Sequence, residues 1–483
     1  MADTTPDNSH IDQISLIIRY VDQNFEPQER LVKMTEIRGK TGKEFAEKVV
    51  SMVEELNLPT EGIRFQCYDT TSSMSGIYNG AQVNLSNILG RVIPYIKCMG
   101  HRANLCVEHA SDASIMIKRF FVTLQELYNF LTLSTSRFAK FKDQIEMLKD
   151  GLVMKNLSQT RWIGRAESIK AVWSSYDILV ALMEDMSSED MTASNMLMQL
   201  KSVDFFVSLV FMKNILYKMK IVTLEMQEVQ KDVLNAVESL KLTNQELQRI
   251  RNDAQETNNL LLVAENNARK KGVNVLYEFE KNNRSKMYRH LQGIQDDARD
   301  DSIKNQFTLH YRSEMYSVLD RLIADISDVI RYMEEIIAPV TILHPSHIKE
   351  CSENDVKSLC KAFPEDLKDS DALFSEIQLA GESICNTSTN LKESAKFLIG
   401  KEKFYPHLSK AYRLALTIPV SVASNERSFS KLKIVKNYLR TTMKEDRLDA
   451  LMIASCSHEI LDQLDISKLA DEWYVLKTRR ISC

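Results

Sequence analysis

The sequence predicts a protein of mixed class, with an α/β core and a large all-helical region inserted into it. In the first hundred residues, short β-branched runs alternate with helical patterns, and seven of the thirteen glycines lie there. No proline occurs between Pro94 and Pro339, so this stretch lacks the residue that most strongly interrupts a helix. At 483 residues the chain is long enough for two or three structural units.

The composition is that of an ordinary soluble protein, with 44% hydrophobic and 27% charged residues. A net charge of −4 disfavours non-specific nucleic-acid binding by the whole surface, although it permits a local basic groove. No apolar run approaches the length of a membrane span, and the amino terminus lacks a secretory signal. The eight cysteines include no CxxC pair, which favours reduced thiols and no zinc site. We therefore expect a nuclear or cytoplasmic protein that is not secreted and has no membrane partner.

The first sixty residues contain two strand patterns and one helix pattern. The β-branched run Ile14–Val21 predicts a strand, and Arg30–Ile37 predicts a second strand that follows a turn. Thr41–Leu56 has helical periodicity, and Glu44 stands three residues after Thr41, which is the spacing of a capping box.

The stretch Glu61–His109 repeats the order strand, helix, strand, helix. Ile63–Tyr68 and Tyr95–Cys98 are the predicted strands, and Ala81–Leu89 is the predicted helix between them. Asp69 stands where the first of these strands becomes a polar turn. A carboxylate at a strand end is held by paired backbone yet remains open to solvent or a metal ion.

Cys98, His101 and Asn104 are spaced at i, i+3 and i+6 at the start of the next helix. A nucleophilic Cys–His pair or a metal site would need a further partner at suitable spacing, and none follows. We therefore predict a structural role, in which His101 orders the turn beside the sheet.

The clearest helical pattern in the middle of the chain is Val222–Ala254, where apolar residues recur at alternating spacings of four and three. This heptad pattern predicts a long helix that packs either against a second protomer or, as we favour, within an intrachain helical hairpin. Near the carboxy terminus, Thr442 and Glu445 have capping-box spacing. The helix after this box has an apolar face, which must pack on the sheet or on a second copy.

Three stretches resemble hAT-superfamily transposases, in the branch that includes zinc finger MYM-type protein 1-like proteins. The resembling residues are Ala2–Asp22; Tyr68-Asp69, Ser73–Gly76, Tyr78–Gly80 and Cys98–Leu105; and Pro419, Ser421, Ser424, Glu426, Arg427, Phe429, Ser430, Arg440, Arg447, Leu448 and Leu451. Thr70 departs from the pattern, since the family usually has Gly there.

The resemblance implies an RNase H-like mixed sheet core that is split by the helical insertion. It also implies a site of three acids, Asp3, Asp69 and Glu426, that binds Mg²⁺ or Mn²⁺ and cleaves DNA. Three carboxylates suit this chemistry because hard divalent ions prefer oxygen ligands, and two ions on the order of 4 Å apart can activate the attacking oxygen and stabilise the leaving one. In the competing interpretation Asp3 is a frayed terminal residue, Asp69 caps a turn and Glu426 pairs with an arginine.

Two further roles are implied by the resemblance. Arg161 and Trp162 match a motif at the start of the family's insertion, where the Trp handles an unpaired base of the DNA; the alternative is a core Trp. The carboxy-terminal segment matches a dimerisation region, which implies a homo-oligomer.

We therefore divide the chain into 1–109, the first part of the core with a shortened first strand; 110–395, the helical insertion; 396–463, the carboxy-terminal core and dimerisation segment; and 464–483, a tail. The first functional hypothesis is a DDE-type DNA transposase or nuclease. The second is a catalytically inactive or domesticated derivative that acts through dimerisation and nuclear partners. The absence of an amino-terminal zinc finger and the shortened first strand favour the second, whereas the three retained acids favour the first.

Overall fold

The computed structural model describes residues 1–147, 152–157, 162–281 and 296–475. The structure is mostly helical, at 69%, with two small sheets. It forms two compact units, and the sheets lie in the first of them. The first unit comprises Met1–His101, Met226–Ala236 and Ile336–Cys483, and the second comprises Arg102–Glu225 and Val237–Glu335.

The first sheet is antiparallel and is built from β1 (Ala2–Pro6), β2 (Asp12–Val21) and β3 (Pro27–Glu36), in that order. The register places Asp3 opposite Ser15. The pairing of β2 with β3 shifts between Leu16 and Ile17, which is the mark of a β-bulge. Both strands predicted from β-branched runs are confirmed as β2 and β3, with slightly different ends.

The second sheet pairs β4 (Gln66–Tyr68) with β5 (Tyr95–Lys97) in parallel. β4 is shorter than predicted, because Ile63–Phe65 lie outside the pairing with β5. Helix α1 (Gly42–Glu55) precedes this sheet, and α2 (Ser72–Ser75) and α3 (Ala81–Ile88) connect its strands. The capping box of α1 is confirmed, since the Thr41 side chain accepts from the Glu44 N–H and the Glu44 carboxylate accepts from the Thr41 N–H.

The three-stranded sheet is buried on both faces. Ile14 and Leu16 pack in one core with Phe45 and Val49 of α1. Ile17 of the same strand packs in a second core with Phe429 and other carboxy-terminal residues. Side chains alternate across a strand, so a nearly continuous apolar run such as ISLII supplies both cores at once.

Helices make up most of the rest of the described chain. Following α3 they are α4 (Met99–Asp112), α5 (Ile115–Thr132), α6 (Thr135–Glu146), α7 (Trp162–Met186), α8 (Met191–Leu200), α9 (Val203–Met226), α10 (Val233–Asn252), α11 (Ala254–Lys270), α12 (Asp296–Ile337), α13 (Pro345–Ile348), α14 (Glu353–Ala362), α15 (Ser370–Thr387), α16 (Leu391–Lys396), α17 (Pro406–Thr417), α18 (Ala423–Val435), α19 (Glu445–Cys456), α20 (His458–Leu461) and α21 (Ile466–Val475). Within the described ranges, no helix is both long and apolar enough to cross a membrane.

Two sequence predictions about helices are wrong. The heptad pattern Val222–Ala254 is not one helix, because residues 227–232 between α9 and α10 are non-helical. Met226–Ala236 instead packs within the first unit, where tertiary hydrogen bonds override the helical pattern. The capping box at Thr442 is also wrong, since Lys444 is the N-cap of α19 and makes no side-chain capping bond.

Candidate functional site

The three predicted acids lie on different elements of the first unit. Asp3 is in β1, Asp69 directly follows β4, and Glu426 is in the first turn of α18. They are distant in sequence, so each owes its position to tertiary contacts. Asp3 is not frayed, because its strand is paired with β2 along its whole length.

Asn425 connects the helix that carries Glu426 to the strand that faces Asp3. Its side-chain amide donates to the carbonyl oxygen of Ser15 at 3.0 Å and to the Ser15 hydroxyl at 2.9 Å. Ser15 lies opposite Asp3 in the sheet. Since Asn425 is fully buried, this contact fixes the start of α18 over β1 and β2.

Cys98 connects the same helix to the second sheet. Its Sγ accepts hydrogen bonds from the backbone N–H of Val422 at 3.3 Å and of His101 at 3.4 Å. The N–H of Met99 also donates to the Val420 carbonyl at 3.1 Å. These bonds hold the end of β5 against the residues that precede α18. β5 pairs with β4, the strand that Asp69 directly follows.

The negative charges of the other two acids affect the pKa of the Asp3 carboxyl group. Burial raises the pKa of Asp3 to about 7, with further contributions from the negative charges of Asp69 and Glu426, while a hydrogen bond from the Thr4 N–H opposes the rise. Two of these charges act on Cys98 as well, whose pKa is raised to about 12, mainly by burial and also by Glu426 and Asp3. The fold therefore brings the three carboxylates within electrostatic reach of one another.

The local contacts of Asp69 are those of a turn-capping residue. Its Oδ1 accepts from the backbone N–H of Thr71 at 3.1 Å and from the Thr71 hydroxyl at 2.7 Å. The Tyr95 hydroxyl donates to its backbone carbonyl. These bonds fix the orientation of Asp69 at the end of β4.

The donor set of this cluster has the chemistry that Mg²⁺ or Mn²⁺ requires, because all three side chains present carboxylate oxygens. Mutual repulsion around Asp3 also favours a cation there. Within the described ranges, however, no three His, Cys, Asp or Glu side chains stand close enough together to hold a metal ion. The three residues therefore supply the oxygen ligands and the negative charge that the ion requires, but their side chains do not converge on one point where an ion could bind.

The remaining predicted site residues are less informative. The sulfur of Cys98 orders the turn at the start of α4, whereas the sequence predicted this role for the His101 side chain. Asn104 lies within α4, in the second unit. Arg161 lies outside the described residues, and Trp162 is described only as the first residue of α7.

Sequence reasoning missed the buried polar residues that join distant parts of the first unit, above all Arg19, Ser15 and Asn425. Arg19 is buried, and its guanidinium pairs with Glu29 at 2.8 Å. It also donates to the backbone carbonyls of Leu416 and Val229 at 3.2 and 2.9 Å. A charged residue inside the apolar run ISLIIRYV was the available signal, because a buried charge requires partners.

Two family models match parts of the chain, and both fit the expectation of a transposase-derived protein. Residues 1–80 match the ZMYM1/FAM200, RNase-like domain. Residues 376–459 match the hAT family C-terminal dimerisation region. The two matches support a hAT-derived protein that is similar to the ZMYM1/FAM200 group, and the second match supports self-association.

Proposed function

We propose that the first unit is a DDE-type nuclease site for metal-dependent cleavage of DNA, as in the transposases from which the protein derives. The observation that carries this proposal is the raised pKa of Asp3, which is caused mainly by burial and to which the charges of Asp69 and Glu426 also contribute. Three acids from distant parts of a chain repel one another, and such repulsion destabilises a fold unless a bound cation compensates it.

We also infer that the segment with β1–β5 and the carboxy-terminal segment 396–463 are the two parts of one RNase H-like core that the helical insertion splits. The match of residues 1–80 to an RNase-like domain supports this inference. So does the covering of β1–β3 by α1 on one face and by carboxy-terminal helices on the other.

Each residue has a distinct role in this mechanism. Asp69 is held by its turn, Glu426 by the Asn425–Ser15 contact, and Asp3 by the paired strand β1. Without a bound cation, Asp3 has a pKa of about 7, so its carboxyl group can carry or release a proton at physiological pH. A divalent cation held by these carboxylates would polarise the scissile phosphate and activate the attacking water.

Thermal unfolding with Mn²⁺ tests whether the acids bind a cation. Mn²⁺ should raise the unfolding midpoint of the wild type and have a much smaller effect on Asp69→Asn and Glu426→Gln. At a hundredfold excess over Kd, a ligand that binds only the folded state stabilises it by about 2.7 kcal/mol. Asp446→Asn is the matched control, because Asp446 is an exposed acid on α19.

A cleavage assay on DNA hairpins with Mn²⁺ then tests the reaction. The wild type and Asp446→Asn should cleave, and Asp3→Asn, Asp69→Asn and Glu426→Gln should not. If Mn²⁺ stabilises the wild type and the three acid variants equally, the acids are not the ligands and the proposal fails.

The second candidate function is dimerisation without catalysis, in which the carboxy-terminal helices contact a second copy. Large apolar side chains are exposed on α20 and α21, including Ile460, Ile466 and Leu469. No side chain of α21 is buried, although its sequence is amphipathic. α20 spans the end of the match to the dimerisation region at residue 459, and α21 begins after it, at Ile466.

Sedimentation velocity of Ile466→Glu and Leu469→Glu tests this candidate. Both variants should shift the protein towards the monomer, because a charge in an apolar interface is costly to desolvate. Val92→Glu is the control, since Val92 is also exposed but lies outside the segment. A monomeric wild type, or dimers that are unchanged in both variants, would contradict the assignment.

A further inference from the structure

An exposed basic stretch begins on the helix that carries Glu426. It starts at Lys433 near the end of α18, continues through a single 3₁₀ turn (Tyr438–Arg440) and ends at Arg447 in the first turn of α19. Four cationic side chains of this stretch are exposed, and we call them the basic patch: Lys433, Arg440, Lys444 and Arg447. All four belong to the first unit.

The packing of α18 on α19 brings the two ends of the basic patch together. Leu432 and Leu448 are buried in the same core. Lys433 directly follows the first of these residues, and Arg447 directly precedes the second. Both cations therefore lie where the two helices meet, and the basic patch occupies one region of the surface.

The acids of the described chain do not neutralise the basic patch. Within the described ranges, none of its four side chains forms an ion pair or a hydrogen bond. The same stretch holds two acids, Glu445 and Asp446, and the Glu445 carboxylate accepts a hydrogen bond from the Glu36 N–H at 3.0 Å. A positive excess therefore remains here, on a chain whose net charge is −4.

Large apolar side chains are exposed among these cations. Tyr438 is 77% exposed, Leu439 76% and Ile434 74%. Lysine and arginine bind the phosphates of a nucleic acid, while aromatic and apolar side chains contact its sugars and bases. Together with these three residues, the basic patch has the composition of a nucleic-acid-binding surface.

A second copy of this chain is a poor partner for the basic patch. In a two-fold symmetric contact, a surface patch meets the same patch on the partner, so four cations would face four cations. Such like-charge contacts disfavour association. The backbone of duplex DNA carries the opposite charge, with one phosphate per about 1.7 Å of helix axis, and it can therefore neutralise several cations of one patch at once.

The helical face that bears Glu426 leads directly to the basic patch. Glu426, Ser430 and Lys433 are spaced at i, i+4 and i+7, which places them on one face of α18. Seven residues of an α-helix span roughly 10 Å. Ser430 and Lys433 are both exposed, so DNA bound over Lys433 can extend along this face to Glu426.

We propose that the basic patch binds the phosphate backbone of duplex DNA beside the candidate nuclease site. Each of the four cations would contact a phosphate, and Tyr438 would pack against a deoxyribose. The choice of DNA as the partner rests on the proposed function, but the binding itself requires no metal ion and none of the three acids.

Duplex binding in EDTA tests the basic patch apart from the metal-dependent reaction. The probe is a fluorescently labelled DNA duplex of mixed sequence, and fluorescence anisotropy measures its affinity at several salt concentrations. The double variant Lys433→Gln, Arg440→Gln should bind at least about tenfold more weakly at low salt. Each lost phosphate contact reduces the salt dependence, the slope of log K against log salt, by about 0.9, so this variant should reduce it by about 1.8.

The matched control is the double variant Lys361→Gln, Lys403→Gln, because both lysines are exposed in the first unit and lie outside the basic patch. It should bind the duplex as the wild type does. Asp69→Asn, which removes a proposed metal ligand, should bind the duplex no more weakly than the wild type. Thermal unfolding midpoints equal to that of the wild type show that the variants are folded.

The nuclease function and the basic patch can fail separately. If the protein does not cleave DNA with Mn²⁺ but the Lys433, Arg440 variant loses duplex binding as expected, the nuclease function fails and the basic patch stands. If this variant binds the duplex as tightly as the wild type and with the same salt dependence, the role of the basic patch is overturned, whether or not the protein cleaves DNA. The role is also overturned if the control variant is weakened equally, or if the wild type binds phosphatidylserine vesicles and not the duplex.

Discussion

Lys436 donates a hydrogen bond from Nζ to Oδ2 of Asp7 at 2.6 Å, and both side chains are almost completely buried. Asp7 begins the turn between β1 and β2, and Lys436 directly follows α18. This ion pair therefore ties the hairpin that carries Asp3 to the helix that carries Glu426.

Asp7→Ala should lower the free energy of unfolding by about 3–5 kcal/mol, because it leaves the Lys436 ammonium buried without its counter-charge. Lys436→Met should cost less, since Asp7 also accepts from the N–H groups of Ser9 and Ile11 and from Gln13. Urea denaturation of both variants and of the double variant measures the difference. Equal losses in the two single variants would contradict this asymmetry.

The contribution of Asp7 to stability should depend on pH. Burial raises the pKa of Asp7, but hydrogen bonds from Lys436, Ile11 and Ser9 outweigh it and hold the pKa below the usual value. A lowered carboxyl pKa stabilises the fold above the unfolded pKa, near 4, and the gain is lost as pH falls through the lowered value. The stability difference between wild type and Asp7→Ala should therefore shrink below about pH 4, which urea titrations at pH 3 and pH 6 measure.

Asp3 should show the opposite pH dependence. Its pKa in the folded protein is about 7, against an ordinary value of 3.8, so the folded state favours the protonated acid. Stability should decline as pH rises from about 4 to 7 and then level off. Asp3→Asn should remove this decline, and Mn²⁺ should reduce it in the wild type. Parallel stability profiles of wild type and Asp3→Asn across this range would refute the prediction.

Arg19→Met should destabilise the protein by about 3–5 kcal/mol, because it leaves Glu29 buried without its counter-charge. It also removes donors to the carbonyls of Leu416, Val229 and Lys231. Arg38→Met provides a matched control, since Arg38 also pairs with a glutamate but is 90% exposed. Chemical denaturation should show no measurable change in the control, and a similar loss in both variants would point to a general effect of removing an arginine.

Gly42→Ala should destabilise the protein although alanine favours a helix. A Cβ on Gly42 would lie 2.5 Å from the backbone of Ser73, Asn79 and Ala81, so the turn after Asp69 would have to move. This displacement should outweigh the gain in helix propensity, about 1 kcal/mol. Gly62→Ala is the control, because its Cβ would meet only Pro59, at 3.7 Å. Thermal unfolding compares the two, and a stabilised Gly42→Ala would contradict the prediction.

The sequence determined the local elements of this protein. The β-branched runs of β2 and β3 and the Thr41–Glu44 capping box are properties of neighbouring residues, so periodicity and spacing were sufficient to predict them. The two short strands of the second sheet were located too, because apolar runs bounded by turn residues mark them.

Only the tertiary structure decided how distant residues meet. The heptad pattern around Val222–Ala254 predicted one helix, yet the Val229 carbonyl bonds Arg19 and the Met226 carbonyl bonds Ser421, and the helix breaks there. The positions of Asp3, Asp69 and Glu426 likewise depend on the Ser15–Asn425 and Cys98–Val422 contacts. Such contacts join residues hundreds of positions apart and leave no periodicity in the sequence. A buried polar atom bonds whichever partner the fold places beside it, so that part of the site could not be read from the chain alone.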